Sequence, residues 1–115
     1  MIYLTSPYTH PDSLIMKTRF LLAEQVTANL LERGYFIYSP IVHCHALAEK
    51  YALPPDFTFW KRYNFDFIRR SDQFLILRIP GWDESKGVTA ERDFARECGI
   101  EIGFVDEHGK MTWHG

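Results

Sequence analysis

A nearly continuous run of apolar residues in the middle of the chain constrains its fold more than any other feature. Residues 73–79 read Gln-Phe-Leu-Ile-Leu-Arg-Ile, and turn-forming residues stand on both sides of them. Because the apolar residues follow one another instead of alternating with polar ones, the pattern predicts a strand that is buried on both faces. Strands of this kind belong to parallel sheets that are covered by helices on both sides.

The rest of the chain alternates between strand and helix patterns. Strand patterns fall at 2–5, 35–38, 100–105 and, as a short edge strand, 111–114, and helix patterns at 14–33, 41–51, 57–70 and 88–98. Gly34 and Gly99 directly follow two of these helices, where glycine is a common cap. The alternation predicts right-handed crossovers and an α/β fold: a single Rossmann-like (flavodoxin-like) parallel sheet of four to five strands with helices on both faces.

Length, charge and cysteine content limit what such a protein can bind. The 115 residues, 46% of them hydrophobic, are enough for one core, so we expect one domain over residues 1–115. The formal charge of -2 provides no general attraction to nucleic acid polymers or anionic membranes. The sequence has no apolar run of the roughly 18 residues that a membrane span needs, and its start lacks a secretory pattern. We therefore expect a cytoplasmic protein that keeps Cys44 and Cys98 reduced.

The predicted topology also indicates where a ligand would bind. In open α/β sheets, ligands bind beyond the carboxyl ends of the strands. Three loops leave strands at that edge, namely residues 6–12, 39–45 and 81–87. Chemistry is therefore expected in these loops and in the first turns of the helices that follow them.

Glu91 is the residue near this edge that most favours a function. On the predicted helix 88–98 it shares a stripe with Val88, Ala95 and Cys98, so its carboxylate is on the face meant for the core. A buried carboxylate is costly unless it is paired or hydrogen-bonded. Either Glu91 serves a reaction near the start of the helix, or it is a boundary residue that pairs with an arginine.

Ser85 and Gly87 precede this helix. A hydroxyl and a glycine at this place would let a ligand approach the amides of the first helical turn, which bind hydroxyls or phosphate. The same residue types are ordinary helix caps, so the pattern fits both a ligand site and a purely structural role.

Taken together, several of these features resemble a known enzyme family. Tyr3 in the first strand, Asp66 ahead of the apolar strand, and the motif Ser-x-Gly-Val-x-x-Glu at 85–91 are similar to the nucleoside 2-deoxyribosyltransferase superfamily, including its 2′-deoxynucleoside 5′-phosphate N-hydrolase branch. Residues 38–43 also resemble small bacterial and phage members of that superfamily. The resemblance spans most of the chain.

The resemblance implies cleavage of the N-glycosidic bond of a nucleoside or nucleotide. It makes Glu91 the nucleophile that attacks C1′, Asp66 the acid that protonates the leaving base, and Tyr3 the residue that hydrogen-bonds and orients Glu91. A carboxylate suits this chemistry because it can trap an oxocarbenium-like state as a glycosyl-enzyme, as in retaining glycosidases.

Structural roles remain open for two of these residues. Tyr3 is also a typical core aromatic, and Asp66 a typical solvated helix residue. Asp72 competes with Asp66 for the role of acid. Because Asp72 directly precedes the central strand, it falls at the amino edge of the predicted sheet, and we expect it to be a turn residue.

Other residues of the three loops are candidates for binding substrate. They are polar or aromatic side chains and one glycine: Ser6, Tyr8, His10, His43, Trp82, Ser85, Lys86 and Gly87. The first loop lacks the arginine of the nucleotide hydrolases, and Ser6, His10 and Lys86 could replace it in binding a 5′-phosphate. Trp60 and Trp82 could stack on a base or serve core packing.

A metal site is not expected. His43 and His45 flank Cys44, but two histidines on one helix need a spacing of four positions to share a metal ion. We therefore expect neither a metal nor an organic cofactor.

Ser85 occupies the position at which transferase relatives carry an aspartate and hydrolase relatives a serine. This favours hydrolysis, with base exchange by a deoxyribosyltransferase and a non-catalytic nucleotide-binding or regulatory module as the alternatives. The expected partner is a small nucleoside or nucleotide. Because relatives often complete the site with residues of a neighbouring subunit, the resemblance also implies a homodimer or a higher homo-oligomer.

Overall fold

The sheet is built around the strand that the apolar run predicted. The structure is a computed structural model that describes residues 1–54 and 56–113. In chain order its elements are β1 Ile2–Thr5, α1 Ser13–Glu32, β2 Ile37–Tyr38, α2 Pro40–Tyr51, α3 Phe57–Arg69, β3 Gln73–Leu77, α4 Lys86–Glu97, β4 Glu101–Val105 and β5 Met111–Trp113. The predicted α/β class is confirmed. The predicted end of the last strand, at position 114, lies outside the described residues.

The strands stand in the order β2-β1-β3-β4-β5, which is the order of flavodoxin-like folds. Strands β1 to β4 are parallel, with Tyr3 opposite Phe74 and Leu75 opposite Gly103. The fifth strand departs from the parallel arrangement, because β5 runs antiparallel to β4. The tight turn between β4 and β5 explains the antiparallel direction, since a connection between parallel strands usually needs a crossover of a dozen or more residues.

Both faces of the sheet are covered, as predicted, and β1 shows how. Ile2 and Leu4 point into one cluster, with Val26 and Leu30 of α1, while Tyr3 points into the other. That second cluster includes side chains of α3 and α4. Successive residues of a strand face opposite sides, so Thr5 shares the side of Tyr3 and faces α3 and α4.

Two residues of types that are usually buried lie at the surface. Ile15 of α1 is 37% exposed, and Cys98, which follows the last turn of α4, is exposed as well. Both stand at a helix end, beyond the turns that pack on the sheet. Cys44 is buried as expected, and both cysteines are free.

Serine caps begin two of the helices at the carboxyl edge of the sheet. Ser39 accepts a hydrogen bond from the N–H of Val42, and Ser85 accepts one from the N–H of Val88, each at 3.2 Å. These caps turn the chain sharply from β2 into α2 and fix the first turn of α4 beside the end of β3. Within residues 1–54 and 56–113, none of the helices is long and apolar enough to cross a membrane.

Candidate functional site

A cavity of about 480 Å³ opens at the carboxyl edge of the sheet, where the topology predicts a site. Its walls come from the loop after β1, from α2, from the start of α3 and from the loop that leads into α4. Residues of all three predicted loops line it. The edge of the sheet thus brings together residues that are up to 86 positions apart in the chain.

Glu91 reaches this cavity from the inner face of α4. It is only 4% exposed, and each of its carboxylate oxygens accepts one hydrogen bond. The Thr5 hydroxyl donates to Oε1 at 2.8 Å, and the Asn64 amide donates to Oε2 at 3.0 Å. Burial raises the pKa of Glu91 to about 7, and the hydrogen bonds from Thr5 and Asn64 oppose that rise.

The local sequence explains why these three side chains meet. Val88, Glu91 and Ala95 form the buried stripe of α4, as predicted. Asn64 lies four positions before Ile68, and both belong to the buried face of α3. Both donors to Glu91 are uncharged, and within the described chain no lysine or arginine forms an ion pair with it. The structure therefore does not support the alternative of a boundary glutamate paired with an arginine.

Tyr3 lies beside this group, close to the Glu91 carboxylate. Its side chain is fully buried, and burial followed by the nearby Glu91 carboxylate raises the pKa of its phenol. An interaction between the Tyr3 hydroxyl and Glu91 raises the pKa of the phenol and lowers that of the carboxyl, as a hydrogen bond does, although the two groups do not meet in standard hydrogen-bond geometry. Thr5, two residues further along the same face of β1, also donates a hydrogen bond to Glu91.

Asp66 is not brought to the cavity. Its carboxylate is half-exposed and pairs with Arg69 at 3.2 Å and Arg70 at 3.1 Å. A step of two residues turns a helix by about 200 degrees, so Asp66 faces away when Asn64 faces Glu91. Asp72 lies at the amino edge, as predicted, with its carboxylate 2.6 Å from the amino group of Met1.

Most of the predicted binding residues line the cavity, but two do not. Those that line it are Ser6, Tyr8, His10, Ser85, Lys86 and Gly87, together with Trp60. Trp82 instead follows the turn at Gly81 and packs edge-on against Phe104 of β4, with the ring centroids 5.4 Å apart. His43 is exposed and stacks on Tyr63, with the ring centroids 6.2 Å apart. It lies outside the stripe of α2 that faces the cavity, which consists of positions 41, 44, 45 and 48.

Several lining residues were missed from the sequence. They are Thr5, Arg19, Ile41, His45, Phe57 and Asn64. The helical spacing of His45 from Ile41, and of Asn64 from Ile68, is the signal that could have found two of them. Arg19 gives no such signal, because it comes from α1 and reaches back to donate to the carbonyl oxygens of Tyr8 at 3.4 Å and Thr9 at 3.1 Å.

The part of the chain that the structure describes holds no group of three or more His, Cys, Asp or Glu side chains placed to bind a metal ion. The cavity is lined by carboxylates, hydroxyls, imidazoles, an amide, a thiol and two cationic side chains, Arg19 and Lys86.

Comparison with known proteins identifies a family but no activity. A family model described as a domain of unknown function, DUF1937, matches residues 1–107, so the chain belongs to that family. A search of the curated proteins finds no match. Function must therefore be argued from the site itself.

Proposed function

We propose that this member of the DUF1937 family hydrolyses the N-glycosidic bond of a nucleoside or its 5′-monophosphate, with Glu91 as the nucleophile. One observation carries the proposal: a buried carboxylate, fixed by two uncharged donors, faces a cavity of about 480 Å³. A cavity of that size suits a small ligand such as a nucleotide. The sequence resemblance supplies the class of substrate.

The proposed reaction has two steps on C1′ of the sugar. In the first, an oxygen of Glu91 bonds to C1′ while the bond from C1′ to the base breaks, and the base leaves with the electron pair and takes up a proton. In the second, water bonds to C1′ and loses a proton, while the ester bond breaks and returns the electron pair to Glu91. A second base in place of water would give base exchange.

The hydrogen bonds of Glu91 support its role as the nucleophile. Thr5 and Asn64 each occupy one carboxylate oxygen, and each oxygen keeps a second lone pair for attack. An arginine in their place would hold the negative charge more tightly and make it less reactive. Because the pKa of Glu91 is about 7 and attack needs the ionised form, the fraction of Glu91 that is ready to attack should rise with pH through this value.

The other walls of the cavity fit the two ends of a nucleotide. Phe57 and Trp60 offer aromatic surface for a base, and Arg19 and Lys86 offer positive charge for a phosphate. Ser6 adds a buried hydroxyl that makes no hydrogen bond within the described chain. Arg19 supplies the guanidinium that the first loop itself lacks, which supports binding of a 5′-monophosphate.

Ser85 favours water as the acceptor. Its hydroxyl caps α4 and lines the cavity, and a neutral side chain at this place would not repel a 5′-phosphate as a carboxylate would. Base exchange and a non-catalytic nucleotide-binding module stay as alternatives. The free cysteines fit the proposed cytoplasmic location, and light scattering would test the proposed homodimer.

Base release across ribo- and deoxyribonucleosides and their 5′-monophosphates, followed by chromatography, tests the proposal. We expect release of free base and free sugar or sugar phosphate from the best substrate. Adding an excess of a second free base should leave this product unchanged. Mostly exchanged nucleoside would indicate a transferase, and binding without base release would indicate the non-catalytic module.

A further inference from the structure

Three side chains outside the Glu91 group form a hydrogen-bonded chain that begins in the wall of the cavity. The Tyr8 hydroxyl lies 2.6 Å from Nδ1 of His45, and Nε2 of His45 lies 3.0 Å from a carboxylate oxygen of Glu49. His45 and Glu49 are one turn apart on α2, whereas Tyr8 comes from the loop after β1. We refer to Tyr8, His45 and Glu49 as the relay.

The relay runs from the cavity to solvent. Tyr8 and His45 line the main cavity, and both also line a second hollow of about 350 Å³, to which Glu49 contributes. The His45 side chain is 13% exposed, and that of Glu49 is 72% exposed. One end of the relay thus faces the cavity, and the other end faces water.

The imidazole in the middle is held in one orientation. The ring of Phe20 stacks on His45 with the ring centroids 4.0 Å apart, and the Tyr8 ring meets its edge at 5.7 Å. A carboxylate on Nε2 fixes the tautomer of a histidine and stabilises the imidazolium formed when the other nitrogen takes a proton. In the neutral ring, Nε2–H therefore donates to Glu49, and Nδ1 accepts from the Tyr8 hydroxyl.

The proposed reaction needs an acid, and Asp66 does not supply one to this cavity. Two other acidic side chains line the cavity, Asp56 and Glu84, and both are exposed. Nδ1 of His10 accepts a hydrogen bond from the N–H of Asp12 at 2.9 Å. The relay is the arrangement that joins a group facing the ligand to a second group that can replace its proton.

We infer that the relay carries the proton of the reaction, with Tyr8 as the group that contacts the leaving base and with His45 and Glu49 acting through it. This inference rests on the proposed function. When the bond from C1′ to the base breaks, the Tyr8 proton passes to the base nitrogen while the Nδ1 proton of protonated His45 passes to the Tyr8 oxygen. When water attacks the glycosyl-enzyme, its proton passes to the Tyr8 oxygen and the Tyr8 proton returns to Nδ1. Tyr8 and His45 both end as they began.

Burial, followed by the nearby Glu49 carboxylate, raises the pKa of Tyr8. The phenol therefore stays protonated at neutral pH, and it donates its proton well only when His45 replaces that proton at the same time. A tyrosine alone would be a weak acid here, which explains why three side chains are needed.

The test compares a purine nucleotide with its N7-methylated form. The methylated base already carries the positive charge, so it leaves as a neutral molecule and needs no proton. For Tyr8→Phe and His45→Gln, we expect release of the ordinary base to fall by at least about a hundredfold, since general acids contribute roughly that much. Release of the methylated base should fall by less than about threefold. Tyr35→Phe and His108→Gln, which change the same side chains at exposed positions, should alter neither rate.

The outcomes separate the relay from the proposed function. Equal losses for both bases, or no loss for either, would overturn the relay while the hydrolase stands. A wild type that releases neither base would overturn the hydrolase and the relay with it. Long-range ¹H–¹⁵N spectra add a measurement that needs no substrate: neutral His45 should carry its proton on Nε2, and a proton on Nδ1 would overturn the relay.

Discussion

Two carboxylates near α3 sit in opposite surroundings. Glu91 contacts the inner face of this helix, is 4% exposed and accepts hydrogen bonds from uncharged groups of Thr5 and Asn64. Asp66, on the outer face, is half-exposed and pairs with two arginines. Neutral donors in a dry site leave a carboxylate poorly compensated and therefore reactive, whereas cations in water compensate it. The partners of an acidic residue, more than its type, indicate whether it can do chemistry.

Removing the carboxylate of Glu91 should have the largest effect on activity. Glu91→Gln keeps the shape of the side chain and loses its nucleophilic oxygen, so base release should fall by at least about a hundredfold. The measurement is the rate of base release at saturating substrate, with circular dichroism to show that the variant is folded. A folded variant with a nearly normal rate would remove Glu91 from the mechanism.

The same substitution should show how much the buried charge of Glu91 lowers the free energy of unfolding. The pKa of Glu91 rises from 4.5 to about 7 on folding, so the folded state binds the proton more tightly than the unfolded state. This tighter proton binding adds about 3 kcal/mol to the free energy of unfolding below about pH 4.5. The contribution is lost as the pH rises to about 7. Glu91→Gln should therefore match the wild type at pH 4 and be more stable at pH 8.

Urea unfolding of both proteins at the two pH values gives this difference directly. A gap between variant and wild type that stays constant with pH would show that Glu91 is not held at a raised pKa.

Asn64→Asp places a second carboxylate beside Glu91 on the inner face of α3. The new side chain has nearly the same shape, but it would lie about as close to Glu91 as the amide does now, at 3.0 Å. Two carboxylates that share a site raise the pKa of one of them, so a smaller fraction of Glu91 would be ionised. We expect about a tenfold lower rate at pH 7 and a pH–rate profile displaced to higher pH. An unchanged profile would mean that Asn64 does not hold the nucleophile.

Asp66→Asn should have the smallest effect on activity, because Asp66 lies on the outer face of α3, away from the cavity. Exposed ion pairs contribute less than about 1 kcal/mol to the free energy of unfolding. Base release should change by less than about twofold, for ordinary and for N7-methylated bases alike. A large loss confined to the ordinary base would restore Asp66 as the acid and contradict its placement outside the cavity.

The sequence was sufficient for the fold and for the inward face of Glu91. The apolar run at β3 and the helical periodicities are local signals that burial imposes, and they predicted the layers and the inward face of Glu91. The direction of β5 depends on a tight turn, which periodicity does not report. The partners of Glu91 are harder to predict, because the position of α3 that faces inward is an asparagine, a residue type that does not by itself indicate acid–base chemistry. The spacing of His43 and His45 argues against a shared metal ion but does not show that His45 alone faces the cavity.

The assignment of Glu91 as the nucleophile is tested most directly by the mass of the protein, intact and after digestion to peptides, following reaction with a 2′-fluoro-arabinosyl purine, with base release measured in the same sample. Fluorine at C2′ slows loss of the sugar from a glycosyl-enzyme, so the covalent intermediate should accumulate. We predict that the wild type gains one fluorosugar for each base released, on the peptide that contains Glu91, and that Glu91→Gln gains none. Base release by a wild type whose mass is unchanged, or a fluorosugar on another residue, would contradict the assignment of Glu91 as the nucleophile.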